Sequence, residues 1–498
     1  MDTNGKRKKN ELFDTTHLKA GLKGHAVRGG MITLTSQGAK FALNMVSTIV
    51  LARILVPADY GLVAMVTTLV NFASLFKDLG LSMAVVQNKE VTHEQVSTLF
   101  WINFALSVLL TLLFCAIAPL ISLFYHEPRL IMITLALSCT FVFSGLIIQH
   151  QALLRRQMKF MTLGLIDIGS RTVGVVSAIV LALMGAKYWA LVALTCFSVI
   201  ANSALIWCFC RWLPGLPRRG TGVRSMLKFG GHLTGFNIIN YFTRNLDNIL
   251  LGRFWGANVL GLYSKAYSIM MLPIAQIRVP LQTVALPALS CVQDDPEQYR
   301  RYYLKLIKMV AFLSMPLMVF LFVSAKEVIL LFLGPNWSGA VNIFKVLCIV
   351  AFLQPVSSTR GLVLVSLGHS KKYLIWGMFN GITTVLSFLI GIKWSAMGVS
   401  ISYTAANYLT FLPSLWYVVK DTPIKMRDFF ISISGPCVAS LVMGTILMLA
   451  HNYFYELTLY FLFLIGVIVY LGSWITVPRG RAYLRELARF RQLILKTS

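Results

Sequence analysis

Charged side chains are scarce in this sequence: only 13% of its 498 residues are Asp, Glu, Lys or Arg, where soluble domains carry roughly 25%. Acids are the scarcest, 18 against 45 Lys and Arg. An ordinary water-soluble domain is excluded. Long polar runs are missing as well. The longest is the basic N-terminal segment 1–30, too short and too charged to bury a core. It lacks the signal-peptide order of charge, apolar stretch and small-residue cleavage site, so the first apolar span is expected to serve as signal and anchor. The eight cysteines (Cys115, Cys139, Cys196, Cys208, Cys210, Cys291, Cys348 and Cys437) form no C-x-x-C and have no histidine at metal-ligand spacing. They read as small apolar residues, and neither metal, disulfide nor cofactor is expected. Paired carboxylates are missing from the expected outer loops, where Glu127, Glu327 and Glu456 stand apart. The chain is therefore not expected to be an enzyme.

What fills the sequence is apolar: 57% hydrophobic residues and a mean hydropathy of +0.72. Stretches of 18 or more apolar residues recur along its length, and each reads as a transmembrane helix. The predicted fold class is an all-α polytopic membrane protein of about fourteen spans. The expected spans are 31–54, 58–80, 96–118, 130–150, 160–183, 187–210, 226–250, 257–281, 303–325, 338–366, 371–391, 395–418, 428–450 and 455–477. A formal net charge of +27 invites nucleic acid as a partner, but its distribution argues otherwise. With the N-terminus inside, most Lys and Arg fall on the cytoplasmic side, as topology alone requires. That face needs no polyanion beyond anionic lipid headgroups. The even number of spans returns a basic tail, 478–498, to the cytoplasm.

Two prolines, glycines and arginines make 211–225 a cytoplasmic linker. It separates an N-lobe, 31–210 (spans 1–6), from a C-lobe, 226–418 (spans 7–12), with two further helices at 428–477. Weak internal repetition agrees. At an offset of 200, Arg53 matches Arg253, Gly61 matches Gly261 and Leu62 matches Leu262; Gly185–Trp189 echoes Gly391–Trp394. Six spans per half give parallel repeats related by an axis along the membrane normal, the architecture of an alternating-access carrier.

Ionisable residues inside spans each cost about 2.5–3.5 kcal/mol at a helix centre, so they need a partner or a cavity. Lys40 lies near the middle of span 1. Asp167 and Arg171 stand four apart in span 5, and Arg244 and Asp247 three apart in span 7; both spacings suit intrahelical ion pairs. Span 8 adds Lys265 and Arg278, and span 10 adds Lys345 and Arg360. Arg278, Arg360 and Lys345 lie near span ends, where snorkelling to headgroups is an alternative. Basic residues outnumber acids within the spans, so the interior is net cationic. Arg forks suit phosphate oxygens, which points to a phosphate-bearing substrate held by Lys40, Arg171, Arg244, Lys265, Arg278 and Arg360. Asp167 and Asp247 are the candidates for ion coupling. Gln37, Asn44, Asn240 and Asn248 are candidate polar lining, with helix–helix hydrogen bonding as the competing role. A multidrug antiporter would want an acidic, aromatic cavity instead.

The motifs L-A-R-I-L-V-P-A-D-Y-G-L (51–62), D-L-G-L (78–81), S-T-L-F-W-I-N (97–103) and A-P-L-I-S-L-F-Y-H-E-P (118–128) stand in the first half. The second half carries R-N-L-D-N-I-L-L-G-R-F-W-G-A (244–257), L-G-L-Y-S-K-A-Y (260–267) and P-A-L-S (287–290). With these the chain resembles the Wzx-type polysaccharide-transporter branch of the multidrug/oligosaccharidyl-lipid/polysaccharide exporter superfamily, nearest to exporters of the colanic acid and teichuronic acid kind. The resemblance implies a bacterial inner-membrane flippase for undecaprenyl-pyrophosphate-linked oligosaccharide, working beside the polymerase of its pathway. It also implies two six-helix lobes around a cationic cavity, and coupling to a proton or sodium gradient. A peptidoglycan lipid precursor flippase would want the same phosphate-binding charge.

Overall fold

The computed structural model describes residues 22–78, 80–88, 91–218, 223–453 and 459–476, with side chains from 29 onward except 223–240, 278–283 and 476. Every regular element among the described residues is a helix. The first group is α1 (Leu22–Ile54), α2 (Pro57–Asp78), α3 (Leu81–Gln87), α4 (His93–Tyr125), α5 (Leu130–Gly145), α6 (Ile148–Arg156), α7 (Phe160–Leu183) and α8 (Trp189–Cys210). Then come α9 (Val223–Cys291), α10 (Pro296–Val323), α11 (Ala325–Phe332), α12 (Ala340–Ser366), α13 (Ser370–Gly391), α14 (Ser395–Val419), α15 (Met426–Tyr453) and α16 (Leu459–Thr476).

Local chemistry sets several of the boundaries. Thr92 caps α4 in a capping box with Gln95, and His126 closes it in the left-handed region. Asp295 caps α10, accepting from the backbone N–H groups of Glu297 and Gln298, with Pro296 in the first turn. The 69-residue α9 breaks at Gly256, whose φ of 76° and ψ of −177° suit glycine and few other residues. Sequence periodicity gave no sign of the short helices α3, α6 and α11.

Eight helical stretches among the described residues are long and apolar enough to cross a membrane, nine with the bent pair α5–α6. One of the eight, Ser370–Val419, is α13 and α14 joined by a 3-10 turn at Ile392–Trp394. The chain divides into two compact units, residues 1–261 and 262–498. The expected seventh span lies in the first unit. There the Tyr241 hydroxyl donates to the Thr68 carbonyl at 2.6 Å, and Gly252 packs near Met65 and Tyr125.

Helix directions alternate as membrane crossing requires. In the first unit α1 and α7 run parallel, with Ser36 beside Gly164 and Asn44 beside Arg171. α7 and α8 run antiparallel through Ser170–Asn202 and Gly174–Ser198, and α4 and α5 through Ser107–Gly145 and Thr111–Ser138. In the second unit α10 meets α12 antiparallel through Tyr299–Ser366 and Tyr303–Thr359. α12 and α14 run parallel, Val346 beside Thr404 and Arg360 beside Phe411. Numbered by expected span, helices of like parity are parallel and those of unlike parity antiparallel in all five cases.

The repeated turns meet each other. A Cβ on Gly61 would strike the Ala257 carbonyl, and one on Gly261 would strike the Pro57 carbonyl. Pro57 and Gly61 stand 200 positions before Ala257 and Gly261, so the contact is reciprocal, as across a local two-fold axis. Only glycine permits backbones so close.

The linker is docked over its first eight residues. Trp212 is buried, its indole N–H donating to His93 Nδ1 at 3.1 Å. The Gly215 N–H donates to Ser97 Oγ at 2.9 Å, and its carbonyl accepts from Trp101 Nε1 at 2.8 Å. Arg218 pairs with Glu94. Residues 211–218 thus strap the first turns of α4.

Candidate functional site

The parallel packing of α1 and α7 brings four of the sequence candidates into one ladder. Lys40 Nζ lies 2.8 Å from Asp167 Oδ2. One turn on, Arg171 Nε donates to Asn44 Oδ1 at 2.7 Å. Spacing on both helices is i, i+4, so the two rungs face the same way. This replaces the intrahelical Asp167–Arg171 pair that the spacing suggested. The physical reason is register: Lys40 on the neighbouring helix already sits at ion-pair distance from Asp167, and Arg171 turns to the next rung. Glycine makes the approach possible, since a Cβ on Gly164 would strike Ser36 Oγ.

Depth and exposure give the ladder its meaning. Asp167 lies seven and Arg171 eleven residues into α7, about 10 and 16 Å along its axis at about 1.5 Å per residue. Arg171 is therefore near the middle of a hydrocarbon core about 30 Å thick. The side chains of Lys40 and Asp167 are 26% and 37% exposed, and Gln37 and Asn44 are exposed on the same helix. Hydrocarbon is a poor surrounding for such a face; water or a polar ligand suits it. Asp167 neutralises Lys40. Arg171 has a neutral partner, so its charge stays uncompensated among the described residues.

The other candidates separate into distinct environments. On α9, Arg244 is exposed while Asp247 is buried, only 4% exposed, and Asp247 Oδ1 accepts from the Asn248 N–H at 2.8 Å. The intrahelical Arg244–Asp247 pair expected from spacing is not formed, because the two side chains lie in different surroundings. Asn248 Oδ1 is buried with no hydrogen-bond partner. Lys265 is half-buried. The side chains of Asn240 and Arg278 lie outside the described residues.

Arg360, on α12, is 6% exposed. Its Nε donates to the Ser357 carbonyl at 3.0 Å and Nη1 to the Phe411 carbonyl at 3.1 Å. The guanidinium carbon stands 5.2 Å from the Phe411 ring centroid and 5.9 Å from that of Trp376. It ties α12 to α14 and to α13, with two of its donors given to carbonyls.

Sequence reasoning passed over a polar chain inside the first unit. Gln149 Nε2 donates to Asn103 Oδ1 at 3.1 Å, and Asn103 Nδ2 to the Lys77 carbonyl at 3.0 Å. Gln151 Nε2 donates to Asn202 Oδ1 at 3.3 Å, and Asn202 Nδ2 to Ser170 Oγ at 3.2 Å. The signal was present, amides in otherwise apolar helices, but their partners are more than 25 residues away. Such bonds hold transmembrane helices together and run to the back of the ladder at Ser170.

Among the described residues no group of three His, Cys, Asp or Glu is placed to hold a metal ion, and all eight cysteines are free thiols.

Residues 50–342 match the model of a family described as polysaccharide biosynthesis protein. The lipopolysaccharide biosynthesis protein WzxC of Escherichia coli K12 is 27% identical over 407 residues, covering 80% of this chain and 82% of that one. The teichuronic acid biosynthesis protein TuaB of Bacillus subtilis 168 is 29% identical over 381 residues, covering 75% and 78%. In fold, the lipid II flippase MurJ in an inward closed conformation is similar at a TM-score of 0.72 and 15% identity, covering 92% of this chain and all of that one. The chain belongs to the polysaccharide biosynthesis protein family and is a polytopic helical membrane protein with a lipid flippase's fold.

Proposed function

We propose that this protein moves undecaprenyl-pyrophosphate-linked oligosaccharide repeat units from the cytoplasmic to the outer leaflet of the bacterial inner membrane by alternating access, for assembly of a surface polysaccharide. The observation that carries the reading is Arg171: an uncompensated guanidinium near mid-membrane, in a chain of a polysaccharide biosynthesis family. A cation so placed costs free energy unless an anion visits it. A diphosphate linking sugar to polyprenol is such an anion, and a guanidinium fork matches its oxygens.

Arg171 and Lys40, with Arg244, Lys265 and Arg278, hold the anionic group, while Gln37, Asn44, Asn240 and Asn248 offer hydrogen bonds to sugar hydroxyls. Arg360, buried with its Nε and Nη1 donating to carbonyls, belongs to packing instead. Asp167 and Asp247 are the carboxylates through which a proton or sodium gradient couples. Fourteen spans, both termini cytoplasmic, an N-lobe of 31–210, a linker of 211–225, a C-lobe of 226–418 and two final helices complete the reading. The alternating helix directions support that topology. Anionic lipids at the basic face and the pathway's polymerase are the expected partners. An acidic cavity suited to cationic drugs is disfavoured by the half-buried Arg171 and the exposed Arg244.

Deleting the gene tests the reading. Intact, unpolymerised lipid-linked units should accumulate in the cytoplasmic leaflet while surface polymer is lost. Normal surface polymer without accumulated units, in cells with no second carrier, would overturn it. Arg171→Ala should reproduce the deletion with normal membrane insertion.

A further inference from the structure

One face of α10 changes character along its length. Arg301, Lys305 and Lys308 follow at i, i+4 and i+7, a single helical stripe. The stripe continues through Phe312, Pro316 and Phe320, which line an open cavity of about 320 Å³ together with α15 and α16. Its opposite wall includes Met443, Gly466 and Tyr470. Gly466 brings α16 close to its neighbours, a Cβ added there meeting Leu447 at 3.4 Å and Phe320 at 3.9 Å. Where the cations meet the cavity, Lys308 Nζ stands 5.9 Å from the Trp474 ring centroid. Phe312, Tyr470 and Trp474 cluster there, and the Tyr470 hydroxyl donates to the Phe312 carbonyl at 2.9 Å.

We infer that this groove is a binding site for one anionic phospholipid of the cytoplasmic leaflet, its phosphate among Arg301, Lys305 and Lys308 and one acyl chain in the α10–α15–α16 cavity. The order of chemistry is that of an amphiphile lying along a helix: cations, an aromatic belt with its polar tips, then an apolar trough. Lys308 to Phe320 spans about 18 Å at about 1.5 Å per residue, close to the depth of one leaflet of a core about 30 Å thick. The cavity holds a chain of roughly ten methylene-sized groups if each takes about the 30 Å³ of a water molecule. Aromatic residues at this level suit the interface between headgroup and hydrocarbon. A zwitterionic lipid would fill the trough equally well but gain nothing from the stripe. The site lies in the second unit; its assignment to the cytoplasmic leaflet rests on the topology proposed above, and the rest does not depend on the transport reading.

The test is native mass spectrometry of the full-length protein released from mild detergent, titrated with palmitoyl-oleoyl phosphatidylglycerol or phosphatidylcholine. One phosphatidylglycerol should be retained in preference to phosphatidylcholine. Lys305→Gln with Lys308→Gln should reduce that preference roughly fivefold per charge removed, the factor that about 1 kcal/mol per surface cation gives. Lys305→Arg with Lys308→Arg should keep it. Val467→Trp, which fills the trough from α16, should lower retention of both lipids, with gel filtration showing the variant folded. Equal retention of the two lipids by the native protein would overturn the proposal. So would an unchanged preference in the double glutamine variant, or a polyprenyl phosphate displacing phosphatidylglycerol stoichiometrically. Surface-polymer export, measured separately, tests the transport reading alone.

Discussion

Exchanging Asn44 for aspartate is the sharpest perturbation of the ladder. The two side chains have nearly the same shape, and Asn44 Oδ1 already accepts from Arg171 Nε at 2.7 Å. A carboxylate there would keep the bond and cancel the charge. A hydrogen bond to a charged group contributes about 1.5–3 kcal/mol, and two unit charges 4 Å apart interact by about 4 kcal/mol at an effective dielectric of 20. The exposed position of Asn44 favours the lower of these figures. If Arg171 grips the substrate's diphosphate, Asn44→Asp should weaken that grip by about 1.5–3 kcal/mol, roughly 10- to 150-fold. Folding should not suffer, because a new ion pair is gained. Asn44→Ala, which leaves Arg171 charged, should cost far less export. The assay is surface polymer per cell, with the variant's level in the membrane measured by immunoblot. Full export by Asn44→Asp at native expression would refute the assignment of Arg171. Equal loss in both variants would show that Asn44 matters for its own hydrogen bond rather than for Arg171's charge.

Other parts of the molecule make separate predictions. Gly61→Val should force apart the turns that meet at Ala257, cutting the yield of folded protein, while the conservative change Gly472→Ala, where a Cβ meets nothing within 4 Å, should be tolerated; size-exclusion profiles decide. Trp212→Ala removes a buried indole from the strap and should cost about 3–5 kcal/mol, seen as a lowered melting temperature, whereas Arg218→Ala on the exposed rim should cost less than about 1 kcal/mol. Arg360→Met should lower the melting temperature but leave export per folded molecule unchanged; loss of export from a well-folded variant would return Arg360 to the site. In the turn between α4 and α5, Arg129 holds the Glu127 carboxyl below its ordinary value of 4.5 through a hydrogen bond. A depressed carboxylate stabilises above the unfolded-state pKa and loses that contribution as pH falls through its folded value. Glu127→Gln should therefore melt slightly lower than the native protein at pH 7, by less than about 1 kcal/mol for so exposed a pair. The difference should vanish in acid, as melting curves in detergent from pH 7 to 3 would show.

Helix positions were legible because hydrocarbon imposes one rule on every span: backbone groups bond within the helix and side chains are apolar. The expected span 303–325 is α10 without its basic first turns, and 371–391 and 395–418 are α13 and α14 within a residue or two. What escaped detection departs from that rule. The 130–150 span bends by 40° between α5 and α6, and no proline marks the place. Linker residues 211–218 read as turn chemistry, and the pattern of prolines and arginines concealed that Trp212 anchors them. Neither the partner His93 nor the acceptor Ser97 lies within a hundred residues of it.

The ladder shows where sequence spacing stops being informative. Asp167 and Arg171 at i, i+4 satisfy the rule for an intrahelical pair, yet such a pair is worth only about 0.2–0.5 kcal/mol. Leaving Lys40 without its carboxylate costs more, because an unpaired ammonium at that depth carries a penalty of about 2.5–3.5 kcal/mol. One carboxylate faces two cations that carry the same order of penalty at depth, so the register between the helices, not the spacing within one, decides which is paired. The choice depends on α1 lying parallel to α7 in a register that puts Lys40 beside Asp167, a fact of tertiary packing absent from either helix alone. The same register leaves Arg171 with an amide rather than an acid. Part of the charge that was countable in the sequence as a net excess is thereby placed on the Arg171 guanidinium, on a helix face that also exposes Gln37 and Asn44.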